Sequence, residues 1–206
     1  MGSSSHMRLF LCCFLFFAAP VSSHSAVILV LGDSISAGYG LDNPAHGWVG
    51  LLAEKIKSAG KAWDIVNASI SGEVSAGGLS RVDALLNTHK PGILILELGA
   101  NDGLRGLQPA LLQGNLEQII FHAKQSGAKV VLLGMRIPPN YGKRFNDLFE
   151  AVFPALAKQY GMAYVPFLLE GVGGNAELMQ PDGLHPNAKA QLVLMGLVWE
   201  KLEPLL

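Results

Sequence analysis

Two short stretches of the chain hold residues that together could perform acyl transfer. Ser34 lies in residues 32–36 (Gly-Asp-Ser-Ile-Ser), directly after an apolar run, while Asp182 and His185 lie in residues 182–186 (Asp-Gly-Leu-His-Pro). A serine hydroxyl is a weak nucleophile until a histidine takes its proton, and a carboxylate can orient that histidine. The sequence thus contains, in distant segments, the three groups of a serine-based acyl-transfer catalyst.

Each of these stretches also has an ordinary explanation when it is taken alone. A serine at a strand-to-helix turn is often a helix N-cap, and Asp182 with His185 could be a turn carboxylate and a surface histidine. Their spacing of three residues nevertheless lets the carboxylate reach the imidazole within one turn, leaving the other ring nitrogen free as a base. The joint occurrence of the two stretches favours catalysis by Ser34, Asp182 and His185.

Acyl transfer also needs hydrogen-bond donors aimed at the oxyanion that develops on the substrate. Candidates are the backbone N–H groups of Ser34 and Gly72 and the side-chain amide of Asn101. Gly72 follows an apolar run, and a residue without a side chain lets substrate approach the backbone. Asn101 follows another such run, although it and Gly99 could also be plain turn residues.

Alternating strand and helix patterns predict the elements that position these groups. Apolar, β-rich runs predict five strands, at residues 27–31, 63–67, 93–98, 129–135 and 163–165. Three- and four-residue apolar spacing predicts helices at residues 47–59, 79–88, 109–126, 146–160 and 189–202. The alternation indicates an α/β fold, a parallel sheet with helices on both faces. Ligands of such sheets bind beyond the carboxyl ends of the strands, where Ser34, Gly72 and Asn101 fall.

Four ordered blocks resemble the SGNH/GDSL hydrolase superfamily. They are Gly-Asp-Ser at residues 32–34, Gly72, Gly-x-Asn-Asp at residues 99–102 and Asp-x-x-His at residues 182–185. Further stretches look like its bacterial branch of multifunctional thioesterases, lysophospholipases and arylesterases, namely residues 67–72, 97–105 and 136–142. Ile35 stands where the name-giving motif has leucine, which is a volume-conserving difference.

The resemblance implies a fold, a chemistry and a set of roles. The fold is a three-layer α/β/α flavodoxin-like one with a five-stranded parallel sheet. Ser34 is expected as the nucleophile, His185 as the base and Asp182 as its orienter, with Ser34, Gly72 and Asn101 forming the oxyanion hole. The expected activity is hydrolysis of acyl esters, thioesters and lysophospholipids, with no cofactor and no metal.

The substrate-binding residues are predicted from less specific signals. Residues 75–80 contain two adjacent glycines and resemble the mobile substrate loop of the family, although a flexible turn entering a helix is an alternative. Residues after the fourth strand are candidates to line an acyl groove. The expected substrate contacts are Ser75, Gly77, Leu79, Ile137, Pro138 and Tyr141. Arg136 is expected to pair with Glu97, because both follow strands that are predicted to be neighbours and a lone buried charge is costly.

The first 25 residues are predicted to be absent from the mature domain. Residues 1–6 resemble an expression-tag remnant, and residues 7–25 a signal peptide with Arg8, an apolar stretch and a small-x-small cleavage site. A membrane anchor is the alternative, but the stretch is short for the roughly 30 Å hydrocarbon core. We therefore expect a single domain at residues 26–206 in the periplasm or secreted. Both cysteines lie in the signal, which predicts a mature domain without disulfides.

The composition narrows the classes of partner. The net charge is −1 and 15% of residues are charged, without basic or acidic blocks. This argues against nucleic acid and against electrostatic membrane binding, and a monomer is the default. Two rival functions stay open: an O-acetylesterase for short or carbohydrate esters on the same fold, and a catalytically silent binding module. The range of acyl chain lengths accepted, and reaction with a fluorophosphonate, would separate them.

Overall fold

The computed structural model describes Gly2 and residues 26–206, so the predicted signal segment lies outside the described residues. A parallel sheet forms the middle layer, with strands β1 (Ala26–Gly32), β2 (Trp63–Asn67), β3 (Ile93–Glu97), β4 (Lys129–Leu133) and β5 (Ala163–Val165). The strand order is β2-β1-β3-β4-β5. This is the flavodoxin-like order, and the predicted fold class is confirmed.

Helices cover both faces of this sheet. In chain order they are α1 (Ser34–Ala37), α2 (Trp48–Ser58), α3 (Ser75–His89), α4 (Ala100–Leu104), α5 (Pro109–Gln125), α6 (Lys143–Tyr160) and α7 (Gln191–Leu202). Helices α2 and α7 pack against each other, and α5 packs against both α3 and α6. Among the described residues, no helix has the length and apolar character needed to cross a bilayer.

The central strands are apolar because both of their faces are covered. All five residues of β3 are buried, and so are the last five of β1. Strands with two buried faces read as continuous apolar runs rather than alternating ones. This pattern is why the strand positions could be predicted from the sequence.

The strand order opens a crevice at one end of the sheet. The chain leaves β1 towards β2 on one side, whereas β3 lies on the other side of β1. Loops that diverge in this way leave space beyond the carboxyl ends of the two strands, which is where such sheets bind ligands. Ser34 directly follows the turn after β1, and Asn101 lies in α4 after β3.

Helix α3 begins earlier than the sequence predicts. It starts at Ser75 rather than at residue 79, so residues 75–80 form its first turns instead of a loop. Mobility of this segment during substrate binding stays a prediction. The first N–H groups of a helix need outside acceptors. Asp102 supplies one, because it accepts hydrogen bonds from the Ser75 backbone N–H at 2.8 Å and from the Ser75 hydroxyl at 2.5 Å.

Candidate active site

Ser34, His185 and Asp182 form a continuous chain of hydrogen bonds. The Ser34 Oγ atom lies 2.8 Å from Nε2 of His185, and Nδ1 of His185 lies 2.7 Å from Oδ2 of Asp182. The sheet supplies Ser34 through β1, while Asp182 and His185 lie in the loop between β5 and α7. The structure thus brings together the three residues that the sequence predicted to act together.

The local turn fixes the orientation of the Asp182 carboxylate. Its Oδ1 atom accepts the backbone N–H groups of Leu184 at 2.9 Å and His185 at 3.0 Å, so Oδ2 is left to the imidazole. Burial by itself would raise the pKa of Asp182, but the hydrogen bonds from the His185 side chain and from these backbone groups lower it to about 2. The carboxyl is therefore ionised at neutral pH and holds a proton on Nδ1 of His185.

The three predicted oxyanion donors lie around the same turn. Ser34 is the first residue of α1, where backbone N–H groups have no acceptor within the helix. Asp33 accepts a hydrogen bond from the Asn101 amide at 3.0 Å, which holds that side chain beside the turn. The Ile70 N–H donates to the Gly32 carbonyl at 3.0 Å, so the loop that carries Gly72 lies against the same turn.

An apolar cavity of about 360 Å³ adjoins the loop that carries His185. Ile137 and Pro138 line it, as predicted from the sequence, and so does Leu184, the residue before His185. The remaining apolar lining comes from Pro139, Phe167, Leu169 and Met179. An apolar cavity of this kind can hold a hydrocarbon chain.

Four other predicted substrate contacts lie elsewhere. The Ser75 side chain is fully buried, and its hydroxyl is engaged by Asp102 and by Asn115, whose amide donates at 2.9 Å. The hydroxyl of Tyr141 donates to the Leu104 carbonyl at 2.7 Å. None of the four residues Ser75, Gly77, Leu79 and Tyr141 lines the apolar cavity beside His185. A role for Ser75, Gly77, Leu79 and Tyr141 in substrate binding stays a prediction.

Comparisons with known proteins agree with this geometry. Residues 30–192 match the model of the GDSL-like Lipase/Acylhydrolase family, a range that includes every residue of the hydrogen-bond chain and all three donors. The chain belongs to this family. It is 52% identical to "Esterase TesA" of Pseudomonas aeruginosa, over 87% of this chain and 89% of that protein.

Two further comparisons extend over similar lengths. The chain is 43% identical to "Thioesterase 1/protease 1/lysophospholipase L1" of Escherichia coli, over 86% of this chain and 84% of that protein. A solved "Crystal Structure of TesA" matches with a TM-score of 0.85 at 52% identity, covering 87% of this chain and 99% of that one. The predicted superfamily membership is therefore confirmed.

Glu97 has hydrogen-bond partners other than the arginine that the sequence predicts. It ends β3, is fully buried, and accepts hydrogen bonds on Oε2 from the Ser36 hydroxyl at 2.6 Å and the Asp33 N–H at 3.1 Å. A Cβ atom on Gly32 would lie 2.6 Å from this oxygen, so the glycine leaves room for the carboxyl. The signal in the sequence was a lone acidic residue at the end of an apolar strand.

The predicted ion pair between Arg136 and Glu97 is wrong. Arg136 lies 3.4 Å from Glu150 and 3.6 Å from Glu170, and its guanidinium lies over the Phe167 ring. The strands β3 and β4 are neighbours as expected, with Leu96 opposite Leu132. Arg136 therefore lies three residues beyond the register position of Glu97, or about 10 Å further along. It reaches the surface there, with 47% of its side chain exposed.

Glu97 is expected to make the stability of the protein fall as the pH rises. Burial raises the pKa of its carboxyl well above the ordinary value, and the buried Asp33 carboxyl beside it raises that pKa further. The folded protein then keeps a proton that the unfolded chain loses above about pH 4.3. The free energy of unfolding falls by up to about 1.4 kcal/mol per pH unit between that value and the pKa in the folded state.

Glu97→Gln removes this proton and keeps the shape of the side chain. The melting temperature of this variant relative to the wild type is expected to rise between pH 5 and pH 8, by about 2–4 °C per kcal/mol of proton linkage removed. Thermal unfolding at both values measures it. Glu54→Gln, at an exposed position of α2, is the control and should follow the wild type. If the difference in melting temperature between Glu97→Gln and the wild type were the same at pH 5 and pH 8, a neutral Glu97 would be contradicted.

Proposed function

We propose that this protein is a serine hydrolase that cleaves acyl esters and thioesters through an acyl-enzyme on Ser34. The observation that carries the proposal is the hydrogen-bond chain from Ser34 through His185 to Asp182, with distances of 2.8 Å and 2.7 Å. These are the contacts through which a serine is activated by an oriented base. Membership of a lipase and acylhydrolase family supports the same chemistry.

The first half of the reaction makes the acyl-enzyme. The Ser34 Oγ atom forms a bond to the carbonyl carbon of the substrate while its proton moves to Nε2 of His185. The carbonyl oxygen becomes an oxyanion that accepts hydrogen bonds from the N–H groups of Ser34 and Gly72 and from the Asn101 amide. The bond to the alcohol or thiol then breaks, and the leaving group takes the proton from His185.

The second half of the reaction releases the acid. A water molecule gives a proton to Nε2 of His185 while its oxygen forms a bond to the acyl carbon. The carbonyl oxygen again becomes an oxyanion that the same donors stabilise. The carbon–oxygen bond to Ser34 breaks, and Ser34 recovers its proton from His185. Asp182, whose pKa is lowered to about 2, stays ionised and stabilises the imidazolium in both halves.

The substrates proposed are medium-chain and long-chain acyl thioesters, aryl esters and lysophospholipids. The apolar cavity beside His185, lined by Ile137, Pro138 and Leu184, supports acyl chains longer than acetyl. The name of the Escherichia coli relative joins thioesterase and lysophospholipase activities in one protein. The signal peptide predicted at residues 7–25 supports action in the periplasm or outside the cell. We also propose that the protein is a monomer.

The experiment that tests the proposal is hydrolysis of p-nitrophenyl esters from acetyl to palmitoyl, with and without prior treatment by a fluorophosphonate. Activity that extends to medium and long chains, and is lost when the reagent labels Ser34, is the expected result. Activity confined to acetyl esters would favour an O-acetylesterase instead. No activity and no labelling on Ser34 would contradict the proposal.

Leu184→Ala is expected to change the preference for chain length. Removing an apolar contact worth about 1 kcal/mol should lower kcat/KM for octanoyl esters by about 5-fold and leave acetyl esters within about 2-fold. Leu192→Ala is the matched control, because Leu192 is 63% exposed and lies on α7 outside the cavity lining. Equal loss for both chain lengths would show that the cavity does not hold the acyl chain.

A further inference from the structure

Beyond the residues assigned so far, we propose that Gln180 is a positioning residue. Its hydrogen bonds hold the loop of Asp182 and His185 against the segment of Ser34. The inference rests on the proposed function, because it concerns the alignment of that base with that nucleophile. Ser34 and His185 are 151 positions apart in the chain, and a hydrogen bond of 2.8 Å joins them. Contacts around this bond must therefore hold two independent segments in register.

The carboxamide of Gln180 joins the two segments directly. Its Nε2 atom donates to the carbonyl of Tyr39 at 2.8 Å and to the carbonyl of Pro186 at 3.1 Å. Tyr39 follows the helix that begins at Ser34, and Pro186 directly follows His185. One amide hydrogen thus bonds the segment that carries Ser34, and the other bonds the segment that carries His185.

The backbone of Gln180 closes the loop of the base. Its N–H donates to the carbonyl of His185 at 2.7 Å, and its carbonyl accepts the N–H of Gly183 at 2.9 Å. These bonds close the turn of residues 180–185, and Asp182 holds its middle through the Leu184 and His185 N–H groups. The turn is therefore a rigid unit that the Gln180 side chain can place.

Tyr39 transmits this placement to the nucleophile. Its N–H donates to the carbonyl of Ser34 at 3.0 Å, so the residue that accepts from Gln180 is itself tied to Ser34. Its ring lies against the imidazole of His185, with centroids 4.6 Å apart and planes tilted by 44°. Tyr39 and Gln180 therefore form a second connection between the segments of Ser34 and His185, in addition to the direct hydrogen bond.

Gly40 provides the space for the carboxamide. A Cβ atom at this position would lie 2.1 Å from Oε1 of Gln180, which is closer than two such atoms can approach. Its φ of +73° also lies in the left-handed region that favours glycine. The segment that carries Ser34 is therefore shaped to admit the side chain that reaches it from the other loop.

The primary amide of Gln180 supplies the two N–H donors that the carbonyls of Tyr39 and Pro186 accept. Gln180→Met keeps the shape and removes both donors, and Gln180→Glu places a carboxylate against two carbonyl oxygens. Because reacting groups lose catalysis steeply when they are displaced by about 1 Å, both variants are expected to lower kcat. KM should change little, since Gln180 does not line the apolar cavity proposed for the acyl chain.

The test measures kcat and KM of the full chain on p-nitrophenyl butyrate for Gln180→Met and Gln180→Glu, each also in the His185→Ala background. We expect kcat to fall at least about 10-fold in both variants with KM within about 2-fold. In the His185→Ala background the same substitutions should change the residual rate by less than about 2-fold, because residues that act as a unit are not additive. Gln159→Met, at an exposed position of α6, is the matched control.

The outcomes separate this proposal from its alternatives. A kcat within 2-fold of the wild type in Gln180→Met or Gln180→Glu would overturn it. An equal loss with and without His185 would mean a merely structural role and would overturn it as well. Gln180→Glu decides the matter if Gln180→Met does not fold. Failure of a fluorophosphonate to label Ser34 in the wild type would instead remove the proposed function, whatever the Gln180 variants do.

Discussion

Replacing Ser34 by alanine is expected to lower kcat for acyl esters and thioesters by at least about 10⁴-fold. The substitution removes the Oγ atom, which lies 2.8 Å from Nε2 of His185. In the proposed reaction this atom forms the covalent bond to the acyl group. The remaining activity would come from the oxyanion donors and from substrate binding, with water in place of the hydroxyl. Steady-state hydrolysis of p-nitrophenyl butyrate and of an acyl thioester measures the effect.

The control for Ser34→Ala is a second serine on the same short helix. Ser36→Ala removes the hydroxyl that donates to Glu97 and leaves Ser34 in place, so it separates loss of the nucleophile from disturbance of the turn. Ser36→Ala should retain labelling of Ser34 by a fluorophosphonate, while Ser34→Ala should lose it entirely. Near-wild-type hydrolysis by Ser34→Ala would assign the nucleophile to another residue.

Asp182→Asn is expected to have the second largest effect, a fall in kcat of about 10³- to 10⁴-fold. The carboxylate accepts a hydrogen bond from Nδ1–H of His185, which leaves Nε2 as the atom that receives the proton of Ser34. An amide at this position can present its NH₂ group to Nδ1, which would favour the tautomer with the proton on Nε2. That tautomer cannot act as a base towards Ser34.

The pH dependence of the wild type checks this assignment. Hydrogen bonds lower the pKa of Asp182 to about 2, so protonation of this carboxyl should contribute nothing to a loss of activity above about pH 3.

Asp147→Asn is the matched control for Asp182→Asn, because Asp147 is 61% exposed on α6 and pairs with Lys143 four residues away. It should leave kcat within about 2-fold. A similar loss in both variants would contradict the role of Asp182.

The sheet and the grouping of Ser34, Asp182 and His185 could be predicted because their signals are local. Strand β3 is a continuous apolar run, since both faces of the sheet are covered. Asp182 and His185 are three residues apart, so one turn brings their side chains together wherever that turn lies. Parallel strands end at a common edge, which placed Ser34 and Asn101 near each other without knowledge of the strand order.

The features that escaped prediction depend on partners far away in the chain. Helix α3 begins at Ser75 because Asp102, 27 positions later, accepts its N–H and hydroxyl. Glu97 finds its donors 61 and 64 positions earlier, at Ser36 and Asp33, and not at the arginine after the next strand. The sequence at the start of α3 resembles a glycine-rich loop, and Glu97 resembles an ordinary strand end. Neither local sequence identifies the distant hydrogen-bond partner.

The proposed base and the proposed nucleophile are attached to different parts of the sheet. Ser34 follows β1, which has a strand on either side, whereas the loop of His185 follows β5, an edge strand of three residues. Edges with few paired residues open at a lower free-energy cost than the centre, as a local unfolding unit. Partial opening at this edge would detach the base while the nucleophile stayed in a native sheet. Activity would then be lost on heating before the central strands of the sheet unfold.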